Sequence, residues 1–160
     1  MFAIKAKGSS ATARDLPAHR AYPFRYAAAF ALDQGRHALV LEPGPGESTA
    51  IALQPALDGH RIAQTVAAAA QRLFSLPATA VEPDGAVTIG ETNFLIDLER
   101  PGSKRYLVDV ARPGTFILFA EHLPERFLLR LVGPSGAAHV LLWERRFPRT
   151  EAAPVDGDVK

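Results

Sequence analysis

Thirteen prolines and twelve glycines punctuate this 160-residue chain, and turn signals recur about every eight to twelve residues. Spacing of that kind leaves no room for many long helices. It suits short antiparallel strands joined by tight turns, the pattern of sandwiches and barrels. One domain accounts for the length, and an apolar share of 48% supplies a core.

Period-two alternation marks the strands. Phe24, Tyr26, Ala28, Phe30 and Leu32 share one face, Asp33-Gln34-Gly35 turns, and Arg36–Glu42 returns, so these two segments read as a hairpin. Thr49, Ile51 and Leu53 follow the Pro43-Gly44-Pro45-Gly46 break. Later strands are expected at Ala78–Glu82, Ala86–Ile89, Thr92–Glu99, around Tyr106, Val108 and Val110, and at Gly114–Glu121. The last of these is the most apolar and is expected at the centre of a sheet. Pro113-Gly114 fits the middle of a type II turn. Arg126–Val132 and Ala137–Arg146 flank Gly133-Pro134-Ser135-Gly136. Centring that turn on Pro134-Ser135 sets Leu131 against Ala138 and Leu129 against Val140, with His139 opposite Arg130 on the other face.

Asp58–Phe74 carries the one helical pattern. Asp58 suits an N-cap, and Ile62, Val66, Ala69, Ala70, Leu73 and Phe74 form a single stripe that should lie flat on a sheet. The predicted fold is mainly β: an antiparallel β-sandwich of jelly-roll type with one amphipathic helix at about residues 58–74. Residues 1–20 are expected to be a flexible arm, 21–147 the domain and 148–160 a disordered tail.

Composition narrows function. A net charge of +1 with interspersed signs gives no nucleic-acid footprint. The absence of cysteine excludes disulfides, a thiol nucleophile and thiolate metal ligands. No stretch reaches transmembrane length, and MFAIKAKGSSATARDL lacks the apolar run of a signal peptide, so a cytoplasmic protein is expected. Gly44-Pro45-Gly46-Glu47-Ser48 is no phosphate loop, because Pro45 lacks an N–H and Glu47 has the wrong charge. No serine stands in a G-x-S-x-G elbow. Asp97 and Asp109 fit a polar sheet face balanced by Lys104, Arg105 and Arg112. No catalytic constellation emerges, and a non-enzymatic protein is expected.

Two surfaces stand out. Glu121-His122-Leu123-Pro124-Glu125 clusters ionisable groups at the end of the expected central strand. Imidazole and carboxylates are ligands for Zn²⁺ or Co²⁺, and Pro124 places Glu121, His122 and Glu125 on a strand end and loop rather than a helix. A plain surface loop, with Glu125 paired to Arg126 or Arg130, is the alternative. His19, His37 and His60 look isolated. The outer face of the last hairpin gathers Leu128, Leu141 and Trp143, either covered by another element such as the helix or forming a partner or dimer surface.

One string goes further. Pro113-Gly114-Thr115-Phe116-Ile117-Leu118-Phe119-Ala120-Glu121-His122-Leu123-Pro124-Glu125-Arg126-Phe127, with Tyr22-Pro23-Phe24-Arg25-Tyr26 and Leu39-Val40-Leu41-Glu42-Pro43-Gly44, resembles the domain that follows the GTPase in some CobW-like metal-chaperone proteins. The resemblance spans about residues 22–147. It implies an accessory module of metal homeostasis that binds a protein partner, such as a CobW-like GTPase on another chain. Such domains tend to carry a His/Asp-rich segment after the strand that corresponds to Val140–Phe147. Here Arg149-Thr150-Glu151 and a His-free tail stand in that place. A self-associating module without a metal role is the other expectation.

Overall fold

A strand with apolar residues on both faces has to be covered twice, and Gly114–Ala120 is such a strand. In the computed structural model, which describes residues 22–43, 48–56, 64–126 and 128–147, it lies in the middle of a three-layer arrangement. Phe116, Leu118 and Ala120 face a second sheet, and Ile117 and Phe119 face a helix.

The described elements are β1 (Tyr26–Leu32), β2 (Gly35–Leu41), β3 (Ser48–Pro55), α1 (Gln64–Ser75), β4 (Thr79–Ala80), β5 (Phe94–Asp97), β6 (Lys104–Val110), β7 (Gly114–Ala120), β8 (Arg130–Val132) and β9 (Leu141–Arg146). A 3₁₀ turn at Pro124–Arg126 lies between β7 and β8. One sheet has six strands in the order β4-β5-β3-β7-β1-β9, and the other has three in the order β6-β2-β8. Pairing is antiparallel except between β4 and β5. The fold is mainly β, a two-sheet sandwich with one α-helix among the described residues, as the turn spacing predicts. A strict jelly roll has eight strands in two Greek keys; here the strands divide six and three.

The inter-sheet core takes alternate residues from both sheets, among them Tyr26, Phe30, Leu39, Leu41, Ile51, Leu53, Tyr106, Val108 and Leu131. The far face of the six-stranded sheet is a second core under α1. Val66, Ala67 and Ala70 meet Ala27, Ala29, Ile117 and Phe119, and the alanines let the helix approach closely. Leu73 is buried and Phe74 partly so, in keeping with the predicted stripe. Ile62 and the proposed cap Asp58 lie outside the described residues. The helix ends where Asn93, buried on the approach to β5, donates from Nδ2 to the carbonyls of Leu73 at 2.6 Å and Leu76 at 3.1 Å. Those bonds satisfy two carbonyls left over at a helix C-terminus.

Four local expectations are corrected. β1 and β2 do not form a hairpin: β1 belongs to the six-stranded sheet and β2 to the other, so the chain crosses the core at Asp33–Gly35, where Gly35 has φ +137°. Both strands still turn alternate apolar residues to the shared core, which is why the pattern alone could not separate the two arrangements. Phe24 does not continue the inward face of β1. The backbone bends at Arg25, and Phe24 joins Phe119, Phe147, Phe74 and Tyr22 on the helix side, with ring centroids 4.7–5.8 Å away. Gly114 is not at the positive-φ position of a type II turn; it pairs with Leu32 as the first residue of β7.

The fourth correction bears on function. Pro134-Ser135 do centre a turn, closed by Gly136 N–H donating to Gly133 O at 2.9 Å. Gly136 then adopts φ +90° and adds one residue, a G1 bulge. The pairing is therefore Val132 with Ala138, one step from the expected register, and His139 N–H bonds to Leu131 O at 2.8 Å. Beyond that bridge the strands part, β8 to β2 and β9 to β1.

Two segments stitch the sheets together. Residues 86–90 bridge β6 and β3, with Val87 N–H on Leu107 O and Gly90 N–H on Leu53 O. Residues 133–140 connect β8 to β9 on the opposite flank.

Candidate functional site

The expected metal cluster sits where the β3–β7 ladder runs out. Glu121 N–H donates to Ala50 O at 2.8 Å, and Glu121 Oε1 accepts Ala50 N–H at 3.0 Å, so the carboxylate stands in for a strand carbonyl. His122 Nδ1 shares a 3.0 Å hydrogen bond with Thr49 Oγ1 and lies 3.9 Å from Glu121 Oε1. Glu125, on the 3₁₀ turn, pairs with Arg146 of β9. That hydrogen bond holds the Glu125 carboxyl below the ordinary carboxylate value against an opposing effect of burial.

Glu121 and His122 are thus brought together, while Glu125 is engaged by a guanidinium. Among the described residues no three His, Asp or Glu side chains are grouped to hold a metal ion. Two ligands fill half of a tetrahedral shell. The Thr49, His122 and Glu121 set also lacks the geometry of a catalytic triad. A triad puts the hydroxyl on one imidazole nitrogen and the carboxylate on the other, whereas both Thr49 and Glu121 approach Nδ1, and Thr49 is fully buried.

The expected interaction surface divides between two faces. Trp143 turns to the helix side and packs against the core under α1, with Nε1 buried and without a hydrogen-bond partner among the described residues. Leu128 and Leu141 stay exposed, at 60% and 41%, and Val140 and Leu142 join them at 81% and 38%. Leu128 is also held at φ +47°, a left-handed conformation uncommon for a residue with a bulky side chain. Leu129 and Leu141 border a hollow of about 160 Å³ between β8 and β9, shared with Tyr26, Phe30 and His139. Charges frame this flank. Tyr26 Oη donates to Glu144 Oε1 at 2.7 Å, and Arg146 bonds Glu125 and reaches Glu144 at 3.4 Å. Burial, with Glu144 as acceptor, pushes the Tyr26 hydroxyl well above the ordinary phenol value.

A larger concavity, about 600 Å³, opens at the start of β7, lined by Ile89, Phe116, Pro55 and Pro113 with Arg112 and Glu91 at its edge. Asp109 also borders it and pairs with Arg36 at 2.9 Å.

Sequence reading missed several side-chain pairs, Glu125–Arg146, Asp109–Arg36 and Tyr26–Glu144 among them, and one between two imidazoles. His37 and His139 meet, Nδ1 to Nε2, at 2.9 Å. The only signal for it was the register of the last hairpin, which the Gly136 bulge shifts. Among the described residues no helix is long and apolar enough to cross a membrane. Comparison of the chain with protein-family models, with curated proteins and with solved structures finds no match.

Proposed function

We propose that this chain is a non-enzymatic interaction module that self-associates through the flank between β8 and β9. The observation that carries the reading is the apolar exposure of Leu128 and of the consecutive Val140, Leu141 and Leu142, with Leu141 on the hollow between β8 and β9. Contiguous apolar exposure at one place marks interaction sites. The left-handed backbone of Leu128 adds to it, since strain of this kind concentrates at working surfaces. A second copy is the occupant we favour. A two-fold contact has to be self-complementary, and here an apolar centre is rimmed by both signs of charge, Glu125 and Glu144 with Arg130 and Arg146.

Sedimentation equilibrium tests this. A dimer mass for the wild type that drops to monomer in Leu141→Glu and Leu128→Glu supports the reading. A wild-type monomer at high micromolar concentration removes it. Trp143→Glu is the poorer probe, because Trp143 packs on the helix side.

A second reading rests on the approach of Glu121 to His122. In it the chain is an accessory domain of metal homeostasis, in the context of CobW-like chaperones, and a partner completes a Zn²⁺ or Co²⁺ shell. Calorimetric titration with either ion is the check. Weak binding abolished by His122→Ala favours it, and no heat, or heat unchanged in His122→Ala, ends it.

A further inference from the structure

The imidazoles of His37 and His139 come from different layers of the chain. His37 lies on β2, on the inward side with Leu39 and Leu41, and is 1% exposed. His139 lies on the β8–β9 connection, partly buried. Its ring rests against the bare Cα of Gly133, where a Cβ would come within 3.1 Å of Nε2. Their 2.9 Å contact is a side-chain tie between the connection and the sandwich.

The proton positions follow from the partners. His37 Nε2 is 2.8 Å from Asp33 O, and a carbonyl only accepts, so that nitrogen carries a hydrogen. In neutral His37, Nδ1 is then the acceptor, and His139 Nε2–H is the donor. One added proton, on His139 Nδ1, puts a cation in a partly buried site beside the second imidazole. A second would set two N–H groups and two cations face to face at 2.9 Å.

We propose that His37 and His139 form a pH-sensitive latch, which holds the β8–β9 connection at neutral pH and releases it in mild acid. Because Val140 and Leu141 follow His139 directly, the latch regulates the self-association flank, a consequence that rests on the function proposed above. The surrounding groups do not relieve the charge. From the end of β1, the Asp33 carboxylate favours a cation on His139, but burial and His37 outweigh it and keep His139 below the ordinary imidazole value. From β8, Arg130 lines the same hollow and is drawn to Glu42 at 3.7 Å. From β1, Tyr26 gives its hydroxyl to Glu144. On β6, Val108 stands opposite His37, and the adjacent Asp109 is held by Arg36.

The sign follows by linkage. The unfolded or released segment has the ordinary imidazole value, about 6.5, and takes up protons before the latched form does. The latch's contribution is intact above that value and is lost as pH falls through the lower, folded one. Each linked proton changes the opening equilibrium by up to about tenfold per pH unit.

Amide exchange, expressed as protection factors to remove the intrinsic pH dependence, gives the test. Between about pH 7.5 and about pH 5, across the histidine range, protection at Gly133 and His139 should fall in the wild type while that of β7 holds. In His139→Gln the fall should vanish. Constant wild-type protection, or the same fall in His139→Gln, overturns the latch. Imidazole nitrogen NMR of the wild type needs no variant. His37 protonated on Nδ1 rather than Nε2 at neutral pH, or His139 titrating at or above the ordinary value, overturns it as well. Sedimentation at the same pH values separates the two claims: a latch that opens while the protein stays monomeric throughout stands alone, and the self-association reading falls.

Discussion

The two flanks of the sandwich are closed by different chemistry. Residues 86–90 join β6 to β3 through backbone hydrogen bonds, with Val87 filling the core at 1% exposure. Residues 133–140 join β8 to β9 through a tight turn and a single bridge, and an imidazole contact ties them to β2, with Val140 and Leu141 left in solvent. The first closure uses no titratable side chain in its joining contacts. It should respond to volume and to buried charge and be indifferent to pH near neutrality. The second has little apolar burial to hold it and depends on proton positions. A closure of that kind opens locally at low cost, and elements that move are drawn from such low-stability regions.

The hardest way to break the contrast is Val87→Asp. An uncompensated charge at a fully buried point costs about 3–5 kcal/mol, and the urea midpoint should fall accordingly, with little change in slope. A loss below about 1 kcal/mol, the range of ordinary surface substitutions and little more, would show that the 86–90 flank is not a closed one.

Gly136 gives a smaller effect on the other flank. Its φ is +90°, and a Cβ at this position would meet nothing within 4 Å, so the backbone, not space, requires glycine. Gly136→Ala should cost about 1–2 kcal/mol, the penalty of a left-handed residue, and Gly136→Asn should recover part of it. The loss should appear in exchange at Gly133 and His139 before it appears in β7. Gly85, in the turn that leads into the first flank, needs glycine for the opposite reason: a Cβ there would lie 2.8 Å from Glu82 O and from Val81 Cγ2.

That contrast also marks what was legible in the sequence. Most strand positions, the central place of Gly114–Ala120 and the stripe of Val66, Ala70 and Leu73 were readable, because period and turn residues report local structure; the expected strand Ala86–Ile89 makes only isolated bridges, and of Arg126–Val132 only Arg130–Val132 is a strand. Which sheet a strand joins was not readable. Tyr26–Leu32 and Gly35–Leu41 alternate equally well as hairpin partners or as facing strands of a sandwich. At the candidate sites, the approach of Glu121 to His122 follows from adjacency in sequence, but the pairing of Glu125 with Arg146 depends on β9 lying beside β1. The His37–His139 contact stayed hidden because one bulge residue moved His139 from Arg130 to Leu131. A reading confined to local pattern cannot see a shift of one.

Val140→Asp should have the smallest effect on folding and the sharpest on the comparison. At 81% exposure the side chain has almost no burial to lose, so stability should change by no more than about 0.5 kcal/mol. The same substitution places a carboxylate in the apolar strip, beside Leu141 and next to His139. If the flank is an interface, self-association should weaken while the melting temperature holds. The nearby carboxylate should also raise the His139 titration toward the ordinary value, because an opposite charge favours the imidazolium. Both shifts without a change in stability would separate the working flank from the structural one. A fall in stability as large as that of Val87→Asp would mean that the two flanks close the sandwich in the same way.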